Sequence, residues 1–267
     1  MLSTQDISIV TVCLDAEKSI GQTIESVRKQ TYPNIEYIII DGGSTDNTIK
    51  IINNNKDVVT ILITEPDSGI YNAMNKGIRA STGRVLFFLN SDDYFYDETV
   101  IQDIMECFSK NPNISLIYGD VLVEITGKLI PWNQAAKLDR KRLARQTISH
   151  QSIFARKEIF VDNGEFSEKF NIVSDYDWLM HLIHSGVESL HIQRNISIVG
   201  SGGCSSTTSW EFERLKSMRS YYTCLEILLW RVFPHQGRRI IRPLSSCLRY
   251  FRRLIHQSIR SGKDIFE

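Results

Sequence analysis

Apolar residues in the first third of the chain come in short runs, each followed by polar residues and then by a stretch of helical period. Ile7 to Cys13 is the first run. Behind it, Ser19-Ile20-Gly21-Gln22 has the spacing of a capping box that opens a helix to about Gln30. Ile35 to Ile40 is the second run, ending in Asp41-Gly42-Gly43-Ser44, with a helix expected from Thr45 to Asn54. Val58 to Ile63 is the third, stopped by Glu65-Pro66-Asp67-Ser68-Gly69, and a helix follows over Ile70 to Ala80. Val85 to Leu89 is the fourth. Runs of this length separated by helices predict βαβ units, a parallel sheet and right-handed crossovers.

The middle of the chain is less periodic. Ser115 to Glu124 and Lys128 to Pro131 read as strands around Thr126-Gly127, a hairpin signal. Leu138 to Gln146 is a basic helix or loop, and Asp175 to Ser185 a helix with apolar positions at Trp178, Leu179, Leu182 and Ile183, stopped by Gly186. Past Trp210 the pattern is helical to the end, broken at Phe233-Pro234 and Arg242-Pro243. No repeat or low-complexity segment interrupts it.

The candidate chemistry stands at the strand exits. Asn90-Ser91-Asp92-Asp93 directly follows the fourth run, and open α/β sheets bind ligands outside the carboxyl ends of their strands. Adjacent carboxylates repel unless a cation sits between them, and such hard oxygen ligands suit Mg²⁺ or Mn²⁺ and hence a diphosphate. Asp15, Asp41 and Asp67 follow the other three strands. Each has a plainer reading, as a turn former or helix cap, but four exits delivering acids to one rim is what a nucleotide site at a sheet edge needs. No GxGxxG and no GxxxxGK[ST] phosphate loop is present, so phosphates would need a metal, Lys76 or a helix N-terminus to neutralise them.

Composition adds bounds. The chain has 267 residues, 42% apolar and 23% charged, enough for one large domain or a domain with an appendage. Five cysteines without CxxC spacing argue against a zinc site or disulfide framework and fit a reducing compartment. No signal peptide and no bilayer-spanning run of ~18 apolar residues is apparent. The net charge of zero hides an asymmetry: nine of the 31 basic residues lie between Ile227 and Lys263 without a single acid, leaving 22 basic against 31 acidic elsewhere. A basic segment on an acidic body calls for a partner.

Several ordered motifs together resemble family 2 glycosyltransferases: Gln30-Thr31-Tyr32-Pro33, the stretch from Ile38 to Asp46, the stretch from Glu65 to Ile78, and Asn90-Ser91-Asp92-Asp93 as the DxD-type metal motif. The likeness covers roughly residues 5 to 205 and is similar to a branch containing bacterial exopolysaccharide and lipopolysaccharide enzymes. It implies an α/β GT-A fold over 1–209, with a nucleotide-sugar half (1–112), an acceptor and catalytic-base half (113–209), and a basic amphipathic helical tail over 210–267. It implies inverting transfer from a nucleotide-diphosphate sugar, with a UDP-sugar expected. Val12, Asp15, Asp41, Asp67, Gly69, Lys76, Ser91 and Asp92 would bind that donor, and Asp92 with Asp93 would hold Mg²⁺ or Mn²⁺. Asp41 would face the nucleobase. Two positions depart from the family pattern: Gly42 stands where a second aspartate is usual, and Asn90 where the first acid of DxD is usual.

The same resemblance places the general base at Asp175, in Val173-Ser174-Asp175-Tyr176-Asp177-Trp178 after the loop Gly164-Glu165-Phe166-Ser167-Glu168. Ser174 and Asp177 have capping-box spacing, which sets Asp175 in the first turn. His150, Gln151 and Asp177 would line the acceptor region, and Ser205 and Ser206 would meet phosphate. The tail mixes aromatics with arginines at helical spacing, as an interfacial helix on an anionic membrane does. The acceptor is then a glycan or lipid-linked glycan, and the expected location is cytoplasmic, peripheral to the inner face of the cytoplasmic membrane. Nucleic acid is not an expected partner, since no recognised binding motif accompanies the arginines. Two other classes compete. A sugar nucleotidyltransferase would carry a Gly-rich basic loop after the first strand, where Leu14 to Lys18 has no glycine. A non-catalytic binding module would tolerate Asp175→Asn.

Overall fold

The computed structural model describes residues 6–200, 210–223 and 226. Ser205, Ser206 and the basic segment after Ile227 lie outside the described residues, so the readings made of them are not addressed by the structure. The chain divides into units at Tyr221/Tyr222, and every element below belongs to the first. The expected boundary at 209/210 cuts across that unit.

Four parallel strands form one side of the sheet: β1 (Ile7–Cys13), β2 (Ile35–Asp41), β3 (Ile61–Thr64) and β4 (Val85–Phe88), in the spatial order β3-β2-β1-β4. The crossovers carry α1 (Ile20–Arg28), α2 (Thr48–Asn53) and α3 (Ile70–Ala80). Beyond β4 the order continues through β8 (Ile153–Arg156), β6 (Leu116–Ile125), β9 (Ser189–Gly200) and β5 (Tyr94–Phe95), with β7 (Lys128–Trp132) on β6. β8 runs antiparallel to both β4 and β6, and β9 parallel to β6. The sheet is therefore mixed. The remaining helices are α4 (Val100–Lys110), α5 (Arg140–Leu143), α6 (Glu158–Asn163), α7 (Ser174–His184) and α8 (Trp210–Met218).

The central parallel strands are largely apolar, as strands buried on both faces are; all seven residues of β1 are buried. Phe87 stacks on Phe154 with ring centroids 4.1 Å apart and on Phe95 at 5.3 Å, joining the two halves of the sheet through one core. Gly77 lets α3 lie against β1, since a Cβ there would stand 2.3 Å from Val10 Cγ1. In register, Cys13 pairs Asp41 and Asp41 pairs Thr64. The loops leaving β1, β2 and β3 thus start from one sheet edge.

Three expected local details differ. Ser19 makes no side-chain cap to α1; the Gln22 amide instead donates to the Ser19 carbonyl, 2.9 Å, in a turn. The strand expected from Val58 begins at Ile61, because the Val58 and Val59 amides donate to the Asn55 carbonyl and finish the turn after α2. Ser174 and Asp177 form no capping box: the Ser174 hydroxyl is buried without a partner, and Asp177 accepts from Ser217 Oγ of α8 at 2.6 Å. The Thr126-Gly127 hairpin does form, both residues at positive φ (49° and 75°) as a type I′ turn requires. Among the described residues no helix is long and apolar enough to cross a membrane, and Cys13 and Cys107 are free thiols.

Candidate active site

The acids at the exits of the first strands do two different jobs. Asp41 is fully buried. Its carboxylate accepts from the Gly43 and Ser44 amides at 3.0 and 3.1 Å, from the Ser44 hydroxyl, and weakly from Cys13 Sγ at 3.7 Å. Desolvation is offset by those donors, so Asp41 shapes its own loop. Asp15 sits at φ 49°, a conformation aspartate tolerates. Its Oδ1 accepts from the Thr45 amide at 2.8 Å and the Asp46 amide at 3.4 Å, fastening the first loop to the second. That engagement, with Asp46 Oδ1 accepting from the Thr48 amide at 2.9 Å, is why α2 starts at Thr48 and not at Thr45.

Gly42 acquires a physical reason. A Cβ there would lie 2.6 Å from Asp67 Oδ2, so the side chain from the exit of β3 fills the place that a second residue at the exit of β2 would need. Asp67 Oδ1 accepts from the Gly69 amide at 3.0 Å, and Gly69, at φ 139°, lets the chain turn into α3. Lys76 is paired with Glu65 at 2.9 Å and donates to the Pro66 carbonyl at 2.9 Å. Val12 is buried in the strand, and the Ser91 carbonyl accepts from Thr23 Oγ1 at 3.0 Å.

A cavity opens beside these loops, and its wall includes Asn90, Asp92, Asp93, His150, Gln151 and Asp175. Val12, Asp15, Asp41, Asp67, Gly69, Lys76, Ser91 and Asp177 are not part of that wall. The structure therefore gathers five of the expected site residues and leaves the others on neighbouring loops or, for Asp177, against α8.

Asp92 is exposed, whereas Asp93 is buried. Asp93 Oδ2 accepts from Gln151 Nε2 and Oδ1 from the Gly200 amide, both at 3.0 Å. Burial, and next the neighbouring Asp92 charge, push the Asp93 carboxyl up to about 7. Asp93 ties β4, β9 and the 3₁₀ turn His150–Ser152 together.

Asp175 sits in the first turn of α7 with its side chain 20% exposed. Tyr71 Oη donates to Oδ1 at 2.8 Å, and His150 Nδ1 to Oδ2 at 2.9 Å. An ionised carboxylate only accepts, so His150 carries its proton on Nδ1, and Nε2 accepts from Asn90 Nδ2 at 3.3 Å. Asn90 Oδ1 is left buried without a partner. Burial by itself would raise the Asp175 pKa; the His150 hydrogen bond, followed by the Tyr71 bond, outweighs it and holds the group below the ordinary carboxylate range. The Tyr71 phenol is pushed far up by burial and then by Asp175, so it stays a donor.

The neighbouring loop is fixed from two sides. Asn75 of α3 exchanges hydrogen bonds with the Phe166 backbone at 2.9 and 3.0 Å, and Glu213 of α8 accepts from the Asn171 and Ile172 amides at 3.2 and 2.9 Å. The cavity wall also contains Tyr71, Trp132, Tyr176, Trp210 and Arg214, none of which the sequence reading placed there. Tyr71 had a positional signal, the first turn of a helix leaving the sheet edge. Trp210 and Arg214 had none, because the pattern past residue 210 reads as a separate tail.

An open mixed sheet with acids at its strand exits and a carboxylate facing them from a later helix is the architecture of GT-A glycosyltransferases. The chain superposes on S. aureus TarS 1-349 solved with UDP-GlcNAc at a TM-score of 0.69, 16% identical, covering 87% of this chain and 68% of that one. It superposes on the mannosyltransferase PcManGT of Pyrobaculum calidifontis, solved with GDP-Man and Mn²⁺, at 0.63, 12% identical, covering 85% and 69%. Residues 8–167 match the model described as Glycosyl transferase family 2, and the chain belongs to that family. A PGL/p-HBAD biosynthesis glycosyltransferase of Mycobacterium bovis (strain BCG / Pasteur 1173P2) is 32% identical over 174 residues, 64% of this chain and 67% of the relative.

Proposed function

We propose that this glycosyltransferase moves a sugar from a nucleotide-diphosphate donor, a UDP-sugar, to a hydroxyl of a glycan or lipid-linked acceptor with inversion, in surface-polysaccharide synthesis. The observation that carries the reading is that Asp175 on α7 and Asp92 at the exit of β4 line one cavity. The UDP-GlcNAc complex of the TarS structure supports the choice of donor. In this reading the nucleoside rests on the loops held by Asp15, Asp41 and Asp67, and the diphosphate reaches Asp92.

The residues fit a loosely held divalent ion. Among the described residues no three His, Cys, Asp or Glu side chains gather as a metal cage, and both Asp93 oxygens are already engaged. Asp92 is left as the exposed carboxylate, and Mg²⁺ is commonly bound by one or two carboxylates plus substrate phosphates. Asp92 would hold Mg²⁺ or Mn²⁺, whose charge offsets that developing on the departing diphosphate. Asp93 braces the turn that presents Asp92.

Asp175 takes the proton of the acceptor hydroxyl while that oxygen attacks the anomeric carbon, and the bond to the diphosphate breaks on the opposite face. Each carboxylate oxygen keeps a lone pair beyond the one used by Tyr71 or His150. His150→Ala tests this arrangement through pH. Asp175 works ionised, and removing His150 leaves burial less opposed, so its pKa rises. The acid limb of the transfer rate is expected to move to higher pH; an unmoved limb in the variant's pH–rate profile would detach His150 from the base.

The acceptor's setting rests on the run from Ile227 to Lys263, with nine basic residues and no acid, which suits an anionic lipid surface. Flotation with vesicles containing anionic lipid is expected to carry the full chain and leave behind one truncated after Ser220. Equal flotation of the two would refute the membrane assignment.

A further inference from the structure

Arg214 of α8 is only 8% exposed, yet it lies on the cavity wall. One of its terminal nitrogens donates to the Leu143 carbonyl at 3.1 Å, while its Nε is buried without a partner. The guanidinium carbon lies 5.1 Å from the ring centre of Tyr176 and 5.9 Å from that of Trp210. None of the ion pairs among the described residues includes it. The nearby acids are committed elsewhere: Glu213 to the Asn171 and Ile172 amides, and Asp177 to Ser217. Buried arginines are rare unless paired, and one carbonyl with two ring faces does not replace an anion. The planar guanidinium fork matches phosphate and carboxylate oxygens.

Position decides what that anion belongs to. A hydrogen-bonded chain runs from Asn90 through His150 to Asp175. Arg214 packs on Tyr176, the residue that follows Asp175 on α7, whereas Asp92 lies two residues past Asn90 on the loop leaving β4. Trp132 and Trp210 also face this cavity and offer flat apolar surfaces of the kind that sugar rings cover. We propose that Arg214 anchors an anionic group of the acceptor, a phosphate or a carboxylate, and so holds the attacking hydroxyl in reach of Asp175. This rests on the sugar-transfer reading above and names the acceptor's charge.

The test uses the full chain saturated with UDP and Mn²⁺, so that the donor side is filled, titrated calorimetrically with inorganic phosphate and in parallel with acetate. Wild type is expected to bind at least one of them at a single site, with the preferred anion separating a phosphate-bearing acceptor from a carboxylate-bearing one. Arg214→Gln is expected to weaken that binding ~10-fold or more, the scale of a lost charge-assisted contact, and Arg214→Lys to weaken it less. UDP affinity should be the same in all three proteins. No anion binding in wild type, or equal binding in Arg214→Gln, overturns the proposal whether or not a variant is destabilised. Loss of anion binding in wild type when UDP is added also overturns it, because Arg214 would then serve the donor diphosphate. If UDP itself does not bind, the nucleotide-sugar reading fails, and titration of the UDP-free protein still reads Arg214.

Discussion

Asp175→Asn is expected to lower sugar transfer by ~10²–10⁴-fold, the usual contribution of a positioned general base, and to leave nucleotide binding unchanged. The substitution is nearly isosteric. Tyr71 and His150 now both donate to the carboxylate, and an asparagine can accept only one of those bonds while turning its NH₂ toward the other. Tyr71 retains the Ile172 carbonyl at 2.7 Å as a second partner, so a local rearrangement is tolerated. What the variant loses is the capacity to receive a proton. The measurement pairs the transfer rate with UDP affinity on the same sample: a fall in rate at constant affinity is the expected pattern. A variant that transfers at the wild-type rate would remove Asp175 from the role of general base.

The second large effect is expected at Asp92. Asp92→Asn keeps the size of the side chain and removes the exposed carboxylate on the cavity wall. Transfer is expected to fall by about 10²–10³-fold, the scale for losing one group that stabilises charge developing on a leaving group. EDTA should abolish wild-type UDP release from a UDP-sugar, and added Mn²⁺ should restore it in wild type far more than in the variant. UDP release equal in the two proteins at every Mn²⁺ concentration would remove Asp92 from the donor site. Asp93→Asn makes a useful contrast. Its acid is buried, and burial followed by the Asp92 charge raises its pKa to about 7; the amide can accept from only one of Gln151 and Gly200, so the expected cost falls on stability more than on metal dependence.

Much of the nucleotide half was legible because its signals are local. β4 is an unbroken apolar run, and β1 and β2 are largely apolar with Ser8, Thr11 and Glu36 interspersed, the loops after them beginning where polar residues do. The pairing of Asp92 with Asp175 came from motif resemblance, since nothing in the spacing of residues 92 and 175 places them on one cavity. The second half was harder for reasons visible in its strands. β8 is only four residues long and slots antiparallel between β4 and β6. β9 is twelve residues, half-buried over most of its length, and paired to β6 and β5, so neither a strict alternation nor an apolar run marks it. Ser19 and Ser174 show how a capping spacing misleads: the backbone turn at Ser19 and the pull of Ser217 on Asp177 satisfy the groups in other ways. The hydrogen bonds from Gly43 and Ser44 that hold the Asp41 carboxylate are a fact that only the folded loop reveals. Arg214 looked like tail because its partners, Leu143, Tyr176 and Trp210, include two from elements far earlier in the chain.

The stereochemistry of the released sugar tests the account most directly, because a single displacement assisted by one aspartate allows one outcome. Screening nucleotide sugars for hydrolysis identifies a donor without requiring the acceptor, and proton NMR recorded before mutarotation reads the anomer first formed. An α-linked donor should yield the β-sugar. Appearance of the α-sugar first would mean that the configuration is retained, and Asp175 could not then be acting as the base of a one-step transfer.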